Sequence, residues 1–196
     1  MSMKHAKSPG RPRAFDPDAA LETAMRLFWQ KGYEGTSLTD LTEAIGINRP
    51  SLYAAFGNKE ELFRRAREHY AAKMGTGCCE DKSLRQTVED YLYGVAEGAA
   101  NPEHAGCLLV VSCLAGSDES GSVQRELCEA RNALQDVWRQ RFERAKAEGE
   151  LPQEADAAAL AGYLMTVSNG MSVQARSGAT AENLRRIAEI ALKSLR

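Results

Sequence analysis

Residues 37–56 read SLTDLTEAIGINRPSLYAAF, and the fold turns on how they are read. Thr36 or Ser37 caps a short helix whose inner side carries Leu38, Leu41, Thr42 and Ile45. Gly46 ends it, Ile47 makes the turn, and Asn48 is a good N-cap for a second short helix through Phe56. Two short helices around a glycine turn form the helix-turn-helix pattern. The second is too short to stand alone, so its neighbours must hold it. Leu52 and Phe56, four residues apart, are the pins. Arg49, Pro50, Ser51, Tyr53 and Ala54 are left outward, mostly small enough for the helix to enter a DNA major groove about 12 Å wide. Arg49 can donate to a guanine edge or a phosphate, and Tyr53 can reach a phosphate oxygen. Lys59 opens the next helix, where the helix N-terminus also attracts phosphate. The same spacing also suits a plain helical hairpin inside a bundle.

Moving outward, Asp16-Pro17 opens a preceding helix with Leu21, Ala24, Met25 and Phe28 on one face, stopped by Gly32 and Gly35. Before it, residues 1–14 are polar and basic, broken by Pro9, Gly10 and Pro12, and read as a flexible arm. Lys4, Lys7, Arg11 and Arg13 of this arm can lie in a minor groove or along the backbone; a solvated tail is the other reading. After Gly57-Asn58 a fourth helix runs from Lys59 to about Lys73 with Leu62, Phe63, Ala66 and Tyr70 inward. Residues 1–74 carry a formal charge of +3 and the remainder −5, out of −2 for 196 residues. That is the weak asymmetry of a front meeting phosphate.

The stretch FDPDAALETAMRLFWQKGYEGTSLTDLTEAIGINRPSLYAAFGNKEELF closely resembles the N-terminal domain of TetR-type transcriptional regulators. The matching pieces are Ala24, Leu27-Phe28, Gly32-Tyr33, Thr36-Ser37, Ile45-Gly46, Leu52-Tyr53, Phe56 and the run Lys59 to Phe63, in order over most of residues 15–63. A weaker echo lies at Asp156–Leu164 and Gly170. The resemblance implies an all-α chain of about nine helices: an N-terminal three-helix DNA-binding domain with its helix-turn-helix, then a larger helical ligand-binding and dimerisation domain. It implies a homodimer on a palindromic operator in double-stranded DNA, repression as the default, and release by an unknown small-molecule effector. It places Thr36, Ser37, Ser51, Tyr53 and Lys59 against DNA, with Arg49 and Pro50 nearest the bases. Leu41-Thr42 and Pro50 depart from the usual pattern, and Pro50 offers only apolar contact, such as to a thymine methyl.

Behind a break at Gly75-Thr76-Gly77, a domain over 75–196 follows the arm (1–14) and the DNA-binding domain (15–74). It reads as helices over about 83–99, 107–115, 123–147, Asp156 to Ala175 and from Thr180 onward, with a loop at 116–122. Tyr91, Cys107, Val111, Trp138, Tyr163 and Met171 lie on apolar faces and are expected either to line a cavity for an apolar or aromatic effector or to be plain core. Ala158, Ala161, Gly162, Ala188 and Ala191 suggest close packing of the last two helices against a second copy.

Composition is that of an ordinary soluble domain, 43% hydrophobic and 27% charged. Without an apolar leader or spanning run, and with five cysteines, a cytoplasmic, reduced location is expected. Cys78, Cys79, Cys107, Cys113 and Cys128 either sense oxidants or electrophiles or pack as small hydrophobes. With only His5, His69 and His104, no metal-ligand spacing is present, and no cofactor is implied. An enzyme using Cys107 as nucleophile and His104 as base is the rival class, disfavoured by Ala105-Gly106 and by the lack of an acidic orienting residue.

Overall fold

The computed structural model describes residues 15–78, 81–113 and 120–194. These residues form nine helices and no strand: α1 (Pro17–Lys31), α2 (Leu38–Ile45), α3 (Arg49–Phe56), α4 (Lys59–Met74), α5 (Leu84–Ala99), α6 (Leu108–Cys113), α7 (Gly121–Ala147), α8 (Ala157–Arg176) and α9 (Ala181–Ser194). No helix among them is long and apolar enough to cross a membrane.

The caps explain most of these boundaries. Asp16 accepts from the Asp18 N–H with Pro17 in the first turn, Asn48 accepts from Ser51, Asn58 from Glu61, and Asp156 from Ala158 and Ala159. Each satisfies a backbone donor that has no partner within its own helix. Of the two candidates before α2, Ser37 is the cap. It forms a reciprocal box with Asp40, whose carboxylate accepts from the Ser37 N–H at 2.8 Å. Of the expected loop over 116–122, residues 116–119 lie outside the described residues, and Gly121 and Ser122 already belong to α7.

Two hydrophobic cores result. The first joins Phe28, Trp29, Leu41, Leu52, Phe56, Leu62, Phe63 and Tyr70 of α1–α4, and also takes in Leu108 of α6 and Val123 and Leu127 of α7. The second gathers Leu84, Val88, Leu92, Trp138, Phe142, Leu164, Met171, Leu184 and Ala188 of α5 and α7–α9. Polar bonds tie the front to the rear. Trp29 Nε1 donates to the Gly106 carbonyl (2.9 Å), Gln30 Nε2 to the Glu103 carbonyl (2.8 Å) and Arg176 Nη2 to the Gln30 carbonyl (3.1 Å). Arg64 on α4 grips Glu126 on α7 through Nε (3.1 Å) and Nη2 (2.7 Å). The head therefore sits on the body through α1, α4 and the 103–107 segment rather than through the chain link alone.

Candidate nucleic-acid interface

Leu52 is fully buried and Phe56 nearly so; between them they fix α3 on α1, α2 and α4. Gly46 supplies the turn, with φ 76° and ψ 31°, a left-handed conformation that side-chain-bearing residues seldom adopt. The outer face then presents Arg49, Pro50, Tyr53 and Ala54 to solvent, with Ser51 half-buried and Tyr53 45% exposed. No carboxylate lies within α3, so nothing on that helix repels a phosphate. Arg49 is not a free whip. Its Nη2 donates to the Thr39 hydroxyl of α2 at 3.0 Å, which orients the guanidinium along the joint of the two helices. Sequence reasoning missed Thr39, because a contact ten residues apart in two different helices has no periodic signal.

Lys59 stands at the start of α4 with its ammonium 4.2 Å from the centre of the Tyr33 ring. Burial lowers its pKa from the usual lysine value, while Glu34 and Asp40 act in the opposite direction. Lys31 reaches Asp40 at 2.5 Å. That hydrogen bond, followed by those from Ser37, holds the Asp40 carboxyl far below the usual range. A charged network thus braces the first turn of α2.

Thr36 departs from the expected DNA-facing set. It is fully buried and donates its hydroxyl to the Gly32 carbonyl at 2.7 Å, so its side chain closes the α1–α2 turn. Ser37 is exposed, but its hydroxyl is engaged with Asp40. Arg11 and Arg13 lie outside the described residues, as do Lys4, Lys7 and Cys79.

The six expected effector contacts are scattered. Tyr91 and Trp138 pack ring against ring, centroids 4.7 Å apart, with Trp138 and Met171 enclosed in the rear core. The Tyr91 hydroxyl lies 3.2 Å from Ser168 Oγ, and burial raises its pKa. Val111 is buried on α6, and Cys107 accepts a hydrogen bond from the Tyr70 hydroxyl at 3.4 Å, by the front core. Tyr163 turns the other way: it is 38% exposed on the outside of α8, so it lines no interior cavity. A half-open cleft of about 180 Å³ lies elsewhere, between α6, α7 and α8, lined by Val110, Cys113, Arg131, Asn169, Gly170 and Val173. Sequence reading could not find it, because its walls come from three helices with no shared period.

Of the small residues of the last helices, Ala158 is exposed and Gly162 half-buried, and the other three turn inward. Ala161, Ala188 and Ala191 are buried within the chain's own rear core, where α9 packs on α5 and α8 on α7. What the two helices leave outside is Tyr163, Val173, Ile187 and Ile190, the last 64% exposed. His104 stacks on Trp29 at 4.0 Å between centroids, and its buried Nδ1 has no partner. Among the described residues no group of three His, Cys, Asp or Glu side chains is placed to hold a metal ion.

A short outward helix held by two buried side chains, mounted on a separate all-helical body, defines the class of helix-turn-helix regulators. The chain belongs to the tetR family of bacterial regulatory proteins: that family model matches residues 20–66, and a tetracyclin repressor-like C-terminal domain matches residues 82–191. It is 43% identical over 194 residues to the HTH-type transcriptional repressor ComR of Escherichia coli K12, covering 95% of this chain and 92% of that one. It is 30% identical to the repressor BdcR of the same organism, over 94% and 91% of the two chains. Among solved structures it resembles a cysteine-substituted form of the TetR family regulator CifR complexed with 26-base-pair operator DNA. That likeness has a TM-score of 0.89 and 41% identity, over 94% of this chain and 98% of that one.

Proposed function

We propose that this protein is a repressor that binds a palindromic operator as a homodimer and leaves it when a small molecule binds the helical body. The observation that carries this is the outward face of α3, with Arg49 braced by Thr39 and Tyr53 beside it and no carboxylate on the helix. Arg49 and Pro50 sit nearest the bases; Ser51, Tyr53 and Lys59 meet phosphate, joined by Arg11 and Arg13 from the arm. The relatives named repressors and the operator-bound structure support the same reading. The protein acts in the cytoplasm as a regulator and not as an enzyme.

The second copy docks on α8 and α9. Tyr163, Ile187 and Ile190 are large apolar side chains left in water by the single chain, and a two-fold seam covers the same patch on both copies. A palindromic site needs two heads at fixed spacing.

The test is selection of bound sequences from a random DNA pool with purified protein at stated salt. Enrichment of one palindrome is expected; none, with folded dimeric protein, overturns the reading. On the selected operator, Tyr53→Ala and Lys59→Ala should weaken binding evenly across sequences, and Lys59→Ala should flatten the salt dependence by roughly one counterion. Unchanged affinity and slope would reject the phosphate assignments.

A further inference from the structure

We propose that the cleft between α6, α7 and α8 is a site for a small organic carboxylate, with Arg131 as its anion-binding group. This rests on the reading of the chain as an effector-released repressor and specifies what the effector is.

The argument begins with Arg131. A guanidinium is charged at every physiological pH and carries five N–H donors. Here one of them points at the Cys113 sulfur, at 3.7 Å, and the buried Nε–H has no acceptor among the described residues. No carboxylate among the described residues pairs with Arg131, whereas Arg64 of α4 and Arg141 and Arg144 of α7 each have an acidic partner. Among the described residues this half-desolvated cation has no counter-charge, which is costly to keep. The cost falls when an anion occupies the space beside it, and a carboxylate matches the planar fork of a guanidinium through two parallel hydrogen bonds.

The rest of the lining sets the remainder of the ligand. Val110 and Val173 offer apolar wall, Gly170 leaves room, and the Asn169 amide is a second polar group in the wall. A volume of about 180 Å³ is some six times the roughly 30 Å³ share of a liquid water molecule. That accommodates a carboxylate on a short aliphatic chain.

The position couples the site to the head. α6 is a lever of six residues, Leu108–Cys113. Val110 and Cys113 face the cleft, Leu108 belongs to the core of the head, and the Val111 carbonyl comes to 3.4 Å of where a Cβ would stand on Gly32, at the end of α1. A ligand wedged against one face of α6 therefore displaces the element that α1 rests on. It shifts the head by as much as it binds the displaced arrangement better.

The test uses the full-length dimer and the linear carboxylates acetate through hexanoate, each against its primary amide, at up to about 10 mM, where a site of millimolar affinity or better is filled. One or more carboxylates should raise the melting temperature and weaken operator binding, and the matching amides should do neither. Arg131→Gln should reduce that carboxylate affinity about tenfold or more, and Arg131→Lys should recover part of it. No response to any carboxylate, an equal response to the amides, or undiminished binding in Arg131→Gln overturns the proposal. So does a weakened dimer in Arg131→Gln without any carboxylate effect, since the second copy would then fill the cleft. Melting shifts are read without DNA. A failure to find an operator therefore breaks the repressor reading alone, and an operator found without a carboxylate response breaks this one alone.

Discussion

The α3 helix and the α6 helix are both too short to be stable by themselves, yet they solve the problem in opposite ways. α3 is eight residues with two buried apolar side chains and an open polar face; α6 is six residues with four buried positions, wedged between the head and the rear helices. The first is held so that a surface stays free; the second is held because it is enclosed. A helix that must touch a partner is therefore legible by its pattern of one pinned side and one free side. A helix wedged between two cores is buried along most of its length, and its sequence looks like any buried run.

The largest effects should come from the pins and the enclosed core. Leu52→Ala should destabilise by about 2–5 kcal/mol and Trp138→Ala by about 3–5 kcal/mol, by loss of contact and an unfilled cavity. Because Leu108 and Leu127 belong to the front core, denaturant unfolding of either variant should remain a single transition; two separated transitions would show that the cores are independent. Gly106→Ala sharpens the comparison at the joint. Gly106 has φ +85°, and a Cβ there would meet the Ser172 carbonyl at 2.9 Å. A loss of about 1–3 kcal/mol is expected, with weaker operator binding because the Trp29 bond to this residue is disturbed. Full operator affinity in a folded Gly106→Ala protein would show that this joint does not set the head. Ser37→Ala removes the box at α2 and should cost about 1 kcal/mol, read from the denaturation midpoint.

The smallest effect is one of pH. The Glu22 carboxyl is lowered from 4.5 to about 2, first by the hydrogen bond from Lys73 and then by those from His69 and Arg26, against the opposing effect of burial. A depressed folded-state value stabilises fully above the unfolded value and is lost on acidification. The contribution should thus fade as pH drops from about 4.5 to about 2. Glu22→Gln should flatten that part of the curve of melting temperature against pH; an unchanged curve would assign acid sensitivity to other carboxylates.

How much was legible follows from how local each signal is. Asp16-Pro17, Asn48, Asp156 and the Gly46 turn act within a few residues, so the boundaries of α1, α2, α3 and α8 were readable from the chain. The Ser37–Asp40 box was hidden because the third helical position holds an aspartate rather than the usual glutamate or glutamine. Thr36 was placed against DNA on the resemblance; its burial depends on the Gly32 carbonyl being there to receive its hydroxyl.

Period, caps and glycine punctuation thus determined the all-helical class, the helix-turn-helix and the residues on the outer face of α3, since each depends on neighbours three or four positions away. Only the tertiary structure decided that Ala161, Ala188 and Ala191 serve the chain's own core while Ile187 and Ile190 are left outside. It alone set Thr39 to hold Arg49, and left Arg131 beside a cleft built from three helices. An apolar or charged side chain carries the same signature whether its partner is in the same chain, in a second copy or in solution, and which of these it meets is fixed only when distant helices are packed together.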